Sequence, residues 1–167
     1  IGYKIFWYMK TITQSNRVKR MIFDGNNAED IFFYVMNMIK RPIRRSSENQ
    51  NKYQHIDFFI GNKSYDIKSR AYQNVVWLEA KGIYGHDGWL LGKSDYIVIY
   101  YTDIQKFCFY KRLDLLDFAK KFRKKSTSKK YYHWYSRQHW GRKDLCLLVK
   151  KLDLNKYEQH SIVVSNI

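Results

Sequence analysis

Cysteine is scarce in this sequence, and its scarcity excludes two classes of protein. Cys108 and Cys146 lie inside apolar segments of strand-like composition, which predicts buried, reduced thiols. Two such cysteines exclude a disulfide-stabilised scaffold and a zinc site built from cysteine, and they are typical of an intracellular protein. We therefore expect the protein in the cytoplasm or nucleoid of a host cell.

Long hydrophobic runs are also missing. The longest, at residues 96–101, is far shorter than the roughly 20 apolar residues of a membrane-spanning helix. The apolar N-terminal segment is interrupted by Lys4 and is followed by no cleavage-site pattern, so we expect no secretory signal. The sequence therefore predicts neither secretion nor a membrane partner.

Acidic residues are few compared with basic ones. The chain has 15 Asp and Glu against 31 Lys and Arg, which gives a formal net charge of +16. A charge of this size attracts polyanions and speeds their association, whatever the fold. Nucleic acid, DNA or RNA, is therefore the expected partner, and an anionic membrane surface is the weaker alternative.

Large apolar side chains, in contrast, are abundant. Hydrophobic residues make up 45% and aromatic residues 18% of the 167 residues, which is too many for a disordered chain. This length and composition predict a single domain over residues 1–167 with a sizeable core.

Hydrophobic periodicity predicts one early helix, a run of strands and a second helix. Residues 27–40 have helical spacing, with Asn27 as the N-cap and Pro42 just beyond the end. Residues 41–52 are polar and basic and predict a loop. Strands are predicted at 53–60, 64–70, 75–81, 95–101, 106–111 and 144–150, a helix at 113–122, and a short tail at the end. This order predicts an α+β (mixed α/β) fold.

The most informative segment is residues 55–68, which predicts two strands joined by a tight turn at 61–64. Alternation in the second strand puts Asp66 and Lys68 on one face. The antiparallel partner strand brings Asp57 beside them. Burying two carboxylates and an ammonium in an apolar sheet costs free energy. Binding of a divalent metal and a phosphate at these groups would offset that cost.

These groups suit phosphodiester hydrolysis, for which carboxylate-bound Mg²⁺ can activate water and neutralise the phosphate. We predict that Asp57 and Asp66 are metal ligands together with the backbone carbonyl of Ile67. Lys68 is predicted to stabilise hydroxide and the developing negative charge. Glu29 lies in the first turn of the early helix and is predicted to complete the metal shell directly or through water. Mn²⁺ is expected to substitute for Mg²⁺.

This ordered pattern resembles the PD-(D/E)XK nuclease superfamily. In such proteins an early helix carries a Glu, one strand carries an Asp, and the next strand carries Asp or Glu, any residue, then Lys. The matching positions here are Glu29, Asp57, Asp66 and Lys68. Segments 76–82 and 88–98 are similar to small members encoded by phages and plasmids, so the matched region covers about 28–118. Ile56 stands where the superfamily usually has Pro.

The resemblance implies a restriction-endonuclease-like core, with one central mixed sheet flanked by helices. It also implies an Mg²⁺-dependent deoxyribonuclease, an endonuclease by expectation, acting on branched, single-stranded or phage-type DNA. A homodimer is compatible with it. The competing hypothesis is a basic nucleic-acid-binding or packaging module of a virus or mobile element that has the fold but no activity.

A second register of the motif stays open at this stage. Glu79-Ala80-Lys81 also reads as acid, any residue, Lys, with Asp66 as the preceding acid. We prefer Asp66 to Lys68 because the hairpin places Asp57 beside them. Glu79 is then an additional catalytic acid that binds metal or orients water, and Lys81 a nucleic-acid contact. The plainer alternative is an exposed cross-strand ion pair.

The C-terminal part, residues 120–167, is basic and aromatic. Between 129 and 143, cations alternate with aromatic rings, a pattern that suits unpaired bases and phosphates. The predicted nucleic-acid contacts here are Tyr132, Trp134, Arg137, Arg142 and Lys143. The alternative is that these aromatic rings belong to the core beside a late strand.

Overall fold

The computed structural model describes residues 28–70, 74–136 and 143–164. These residues form four helices: α1 (Ala28–Met38), α2 (Glu48–Gln54), α3 (Arg112–Ala119) and α4 (Lys151–Leu154). The strands of the first half are β1 (Ile43–Arg45), β2 (Phe58–Ile60), β3 (Lys63–Arg70) and β4 (Val75–Lys81). The later strands are β5 (Tyr96–Tyr101), β6 (Lys106–Lys111), β7 (Lys125–Ser126), β8 (Trp134–Tyr135), β9 (Leu145–Lys150) and β10 (Glu158–Val163). Short 3₁₀ helices lie at Trp89–Leu91 and Asn155–Tyr157.

The strands of the described residues form two mixed sheets. The larger has the order β1-β2-β3-β5-β6-β10, with β3 and β5 parallel and the other neighbours antiparallel. The smaller has the order β4-β9-β8-β7. The α+β class is therefore confirmed. Strand β4 does not belong to the larger sheet, because it pairs with β9 in the smaller one.

The large sheet is covered on both faces, which explains the nearly continuous apolar run of β5. Val98 and Tyr100 pack in the cluster that contains α1. Ile97 and Ile99 pack on the opposite face, in the cluster that contains β4, β9 and α3. Asp66 is paired with Ile97 in the parallel ladder, so the acidic strand residues lie on the side of the smaller sheet.

The segment before β2 differs from the prediction. Residues 41–52 contain β1 and most of α2 rather than a loop, and the strand predicted at 53–60 is reduced to Phe58–Ile60. A capping box starts α2, because the Ser47 side chain accepts from the Gln50 N–H and the Gln50 side chain accepts from the Ser47 N–H. The helix ends at His55, whose backbone is left-handed, with φ of 53°.

The ends of the predicted elements differ in smaller ways. The expected short tail contains β10, which pairs with β6. The helix predicted at 27–40 covers Ala28–Met38, and its proposed cap Asn27 lies outside the described residues. Ile39 follows the helix and is 37% exposed, so it is not part of the core. Neither cysteine forms a disulfide in the described part of the chain; Cys108 is buried and Cys146 is half-buried. Within the described ranges, no helix has the length and apolar character needed to span a membrane.

Gly88 allows a very close approach between two segments. A Cβ atom at this position would lie 2.5 Å from the Glu79 carbonyl oxygen. The Gly88 N–H donates to the Ala80 carbonyl at 2.9 Å, so the glycine-rich segment lies directly against β4. Trp89, the next residue, is buried in the core, at 3% exposure.

Candidate active site

The hairpin of β2 and β3 brings the predicted acids together. Phe58 pairs with Tyr65 and Ile60 with Lys63, and Gly61 forms the turn with a positive φ of 59°. The Asp57 N–H continues the pairing by donating to the Tyr65 carbonyl at 2.8 Å. Asp57 therefore lies across from Asp66, as the sequence predicts.

Two hydrogen bonds orient the Asp57 carboxylate. Its Oδ1 accepts from Nδ2 of Asn51 at 2.7 Å, and its Oδ2 accepts from the N–H of Ile67 at 2.7 Å. Asn51 is a site residue that the sequence reasoning missed, because it lies on α2, where a loop is predicted. The pattern Ser47-x-x-Gln50 could have revealed this helix as a capping box.

Asp66 is the most deeply buried of the predicted catalytic residues, at 1% exposure. Its Oδ1 accepts from Nζ of Lys68 at 2.7 Å. Its Oδ2 has no hydrogen-bond partner in the described part of the chain. Burial raises the pKa of Asp66 to about 8; the Lys68 ammonium opposes this shift and the Asp57 carboxylate adds to it. The carboxyl group therefore holds a proton at neutral pH when no other cation is near.

Lys68 remains charged beside this acid. Burial disfavours its ammonium form, but the Asp66 and Asp57 carboxylates outweigh this effect and raise its pKa. Glu79 on β4 also stabilises the Lys68 charge. The side chain is 24% exposed, so a cationic group within the acidic cluster is still accessible from solvent.

Glu29 approaches the cluster from α1. Burial raises its pKa and the Asp57 carboxylate adds to the shift, whereas Lys68 and Arg45 lower it. Arg45 lies 3.6 Å from the Glu29 carboxylate and also pairs with Asp30. A pocket of about 370 Å³, lined by Glu29, Arg45, Asn51 and Asp57 among others, opens beside these groups.

The two registers of the motif differ in geometry. Lys68 forms the ion pair with Asp66, as described above, whereas Lys81 is exposed and forms a β-bridge with Asp87. Glu79 lies on a different strand and acts on Lys68 through its charge. This arrangement favours the register of Asp66 and Lys68, with Glu79 as an additional acid, while the roles themselves stay predictions.

The donor chemistry suits a hard cation only in part. Carboxylate and carbonyl oxygens are the ligands that Mg²⁺ prefers, and Asp66 Oδ2 is a buried oxygen to which no described residue donates. The Ile67 carbonyl faces the same strand edge as its N–H, which bonds Asp57, because both groups of one strand residue point to one side. However, within residues 28–70, 74–136 and 143–164 no three His, Cys, Asp or Glu side chains are grouped so that they could hold a metal ion.

The predicted nucleic-acid contacts of the C-terminal part have different surroundings. The Tyr132 hydroxyl donates to Asp153 and its ring stacks on Phe122 at 5.3 Å. Trp134 Nε1 donates to the Phe122 carbonyl at 2.8 Å. Both rings pack against the larger core cluster, which supports the core alternative for these two residues.

The structure describes two of the four basic residues that are predicted to contact nucleic acid. Lys81 and Lys143 are exposed, so contact with a nucleic acid stays a prediction for both. Arg137 and Arg142 lie outside the described residues.

The candidate active site is thus assembled from three regions: α1, the β2–β3 hairpin with α2 behind it, and β4. Asp57, Asp66 and Lys68 form its centre, and Glu29 and Glu79 flank that centre. No protein-family model, curated protein or solved structure matches this chain.

Proposed function

We propose that this protein is a metal-dependent nuclease that hydrolyses phosphodiester bonds of DNA. The observation that carries the proposal is the convergence of Asp57, Asp66 and Lys68, with one buried Asp66 oxygen that lacks a hydrogen-bond donor among the described residues. A buried polar oxygen without a partner is costly, and a cation that replaces the Asp66 proton would compensate this oxygen in the charged form.

Mg²⁺ or Mn²⁺ is the proposed cofactor, with Asp57, Asp66 and the Ile67 carbonyl as ligands and Glu29 bound directly or through water. When bound, such an ion neutralises charge on the phosphoryl oxygens and activates water. Asn51 orients the Asp57 carboxylate through the hydrogen bond at 2.7 Å.

The protein's own groups supply the remaining chemistry. Lys68 keeps a positive charge beside the acids, where it stabilises the negative charge that develops on the phosphate. Glu79, close enough to act on Lys68, is proposed to orient the attacking water. The net charge of +16 favours the approach of a polyanion.

A restriction-endonuclease-like core is part of the same proposal. It is supported by the order of an early helix that carries Glu29, a hairpin that carries Asp57, Asp66 and Lys68, and a following strand β5 that pairs with β3 in parallel. Endonuclease action and a preference for branched, single-stranded or phage-type DNA depend on the family resemblance. A homodimer is compatible with this proposal.

A second candidate function is nucleic-acid binding without hydrolysis. It is favoured by the fact that, among the described residues, three acids do not come together as a metal site. It is also favoured by the hydrogen bonds that occupy both Asp57 oxygens. In this case the positive charge of the protein would serve to bind nucleic acid for packaging or protection.

One assay separates the two candidates. The protein is incubated with plasmid, linear single-stranded and branched DNA, and with RNA, in Mg²⁺, Mn²⁺ or EDTA. Asp66→Ala and Lys68→Ala are compared with Asp117→Ala and Lys120→Ala, which remove an exposed ion pair of the same type. Metal-dependent cleavage that only the first two variants lose supports the nuclease. Cleavage in EDTA, or equal cleavage by all variants, contradicts the metal mechanism, and binding without cleavage favours the second candidate.

A further inference from the structure

A basic site lies at the start of β3 and β5, separate from the cluster of Asp57, Asp66 and Lys68. A pocket of about 260 Å³ opens between these strand ends and the first turn of α3, and we call it the α3 pocket. Its cationic lining residues are Lys63, Lys93, Lys111 and Arg112. Two carboxylates, of Asp95 and Asp114, also line it, so cations outnumber carboxylates four to two.

The N-terminus of α3 forms one wall of this pocket. Within residues 74–136, the N-cap residue Lys111 makes no side-chain capping bond. The Arg112 N–H donates to the Asp95 carbonyl at 3.0 Å, whereas the N–H groups of Leu113 and Asp114 have no acceptor inside the helix. Both residues line the pocket. Such free N–H groups and the helix dipole favour an anion.

Ser94 provides an independent indication of a ligand. It is 1% exposed and lines the pocket, yet its hydroxyl has no hydrogen-bond partner among the residues that the structure describes. A buried hydroxyl without a partner is costly. A phosphate oxygen in the pocket would satisfy it.

The guanidinium of Arg112 is held in the pocket wall. Its Nε donates to the Ser94 carbonyl at 2.8 Å and its Nη1 to the Leu90 carbonyl at 3.2 Å. The Asp95 carboxylate stabilises the Arg112 charge, and it is held in place because its Oδ2 accepts from both the N–H and the hydroxyl of Ser64 at 2.9 Å. The pocket is therefore an ordered site with a net positive charge.

The position of the α3 pocket relates it to the proposed active site. Lys63 precedes Asp66 by three residues on β3, and at ~3.3 Å per residue this corresponds to about 10 Å along the strand.

We propose that the α3 pocket binds a phosphate group, namely a backbone phosphate of the nucleic acid that lies beside the bond to be cleaved. The phosphate chemistry follows from the pocket itself, whereas its assignment to a nucleic acid rests on the proposed function. The pocket then sets the register of the substrate relative to Asp66.

The test uses amide NMR spectra of the intact protein in EDTA, so that no cleavage takes place. Inorganic phosphate and a short DNA duplex are titrated separately, and the Leu113 and Asp114 amide signals are followed. The variant Lys63→Gln/Lys93→Gln/Lys111→Gln replaces three exposed lysines of the pocket. Its matched control, Lys40→Gln/Lys120→Gln/Lys156→Gln, removes the same charge from exposed lysines elsewhere.

Both ligands should shift the two amide signals in the wild type and in the control, but not in the pocket variant. For DNA, the pocket variant should bind roughly three- to tenfold more weakly, with a salt slope smaller by about 1. Shifts with inorganic phosphate alone would overturn the assignment to a nucleic acid, and no shifts with either ligand would overturn the pocket as an anion site. Cleavage is not needed for any of these results, so a failure of the nuclease proposal is seen separately.

Discussion

Replacing Asp66 with Asn should change how the free energy of unfolding depends on pH. Asp66 is buried, and its pKa rises from 3.8 to about 8 in the folded protein. Between these two values the folded protein keeps a proton that the unfolded chain has released. The free energy of unfolding of the wild type therefore falls as the pH rises, whereas Asn does not titrate and removes this contribution.

The expected size follows from the linkage of one proton. A difference of one bound proton changes the free energy of unfolding by about 1.4 kcal/mol per pH unit. The Asp66→Asn variant should therefore gain roughly 3 kcal/mol relative to the wild type between pH 5 and pH 7. The substitution also changes the hydrogen bond that Lys68 donates to Asp66, and this changes the stability of the variant by a constant amount, because Lys68 stays charged over this range. It therefore changes the offset but not the slope.

Urea unfolding followed by tryptophan fluorescence in EDTA, at several pH values, measures this slope. Asp117→Asn serves as the matched control, because Asp117 is 71% exposed. If the difference between Asp66→Asn and the wild type varied with pH no more than that of the control, Asp66 would be ionised in the folded protein. The account of its buried proton would then be wrong.

Three further predictions follow from the same geometry. The apparent affinity for Mn²⁺, measured by calorimetry, should rise up to about tenfold per pH unit below pH 8, because the metal displaces the buried proton; a constant affinity contradicts this. Asn51→Ala should lower the thermal stability by about 1 kcal/mol and reduce cleavage, through loss of the bond to Asp57; unchanged cleavage would show that this bond does not position the acid. Gly88→Ala should lower the free energy of unfolding in urea by roughly 1–3 kcal/mol, because its Cβ would meet the Glu79 backbone. Gly82→Ala is the control and should lower it less, because a Cβ there has contacts only at 3.9 Å and beyond.

The central hairpin could be predicted because its information is local. Alternation in β3, the turn at Gly61 and the separation of Asp57 from Asp66 are all contained in one short segment. The strands β4 and β6 were located with their observed ends for the same reason, since each is a strongly alternating or continuous apolar run.

Other parts of the fold carry too little local signal. Helix α2 buries no side chain in the described structure, so it has no apolar periodicity to detect, and Asn51 was missed with it. Strand β10 is largely polar and is recognised only through its pairing with β6. The division into two sheets depends on the pairing of β4 with β9, which joins distant segments and leaves no mark in either sequence.

The two strands of the hairpin are close together in the sequence, and this affects the order of events in folding. Contacts between neighbouring segments require the closure of only a short loop, so Asp57, Asp66 and Lys68 should meet early during folding. Burial of the Asp66 side requires β4 and β9, whose pairing closes a far longer loop. The desolvation of that acid therefore belongs to a late step of folding, after the hairpin has formed.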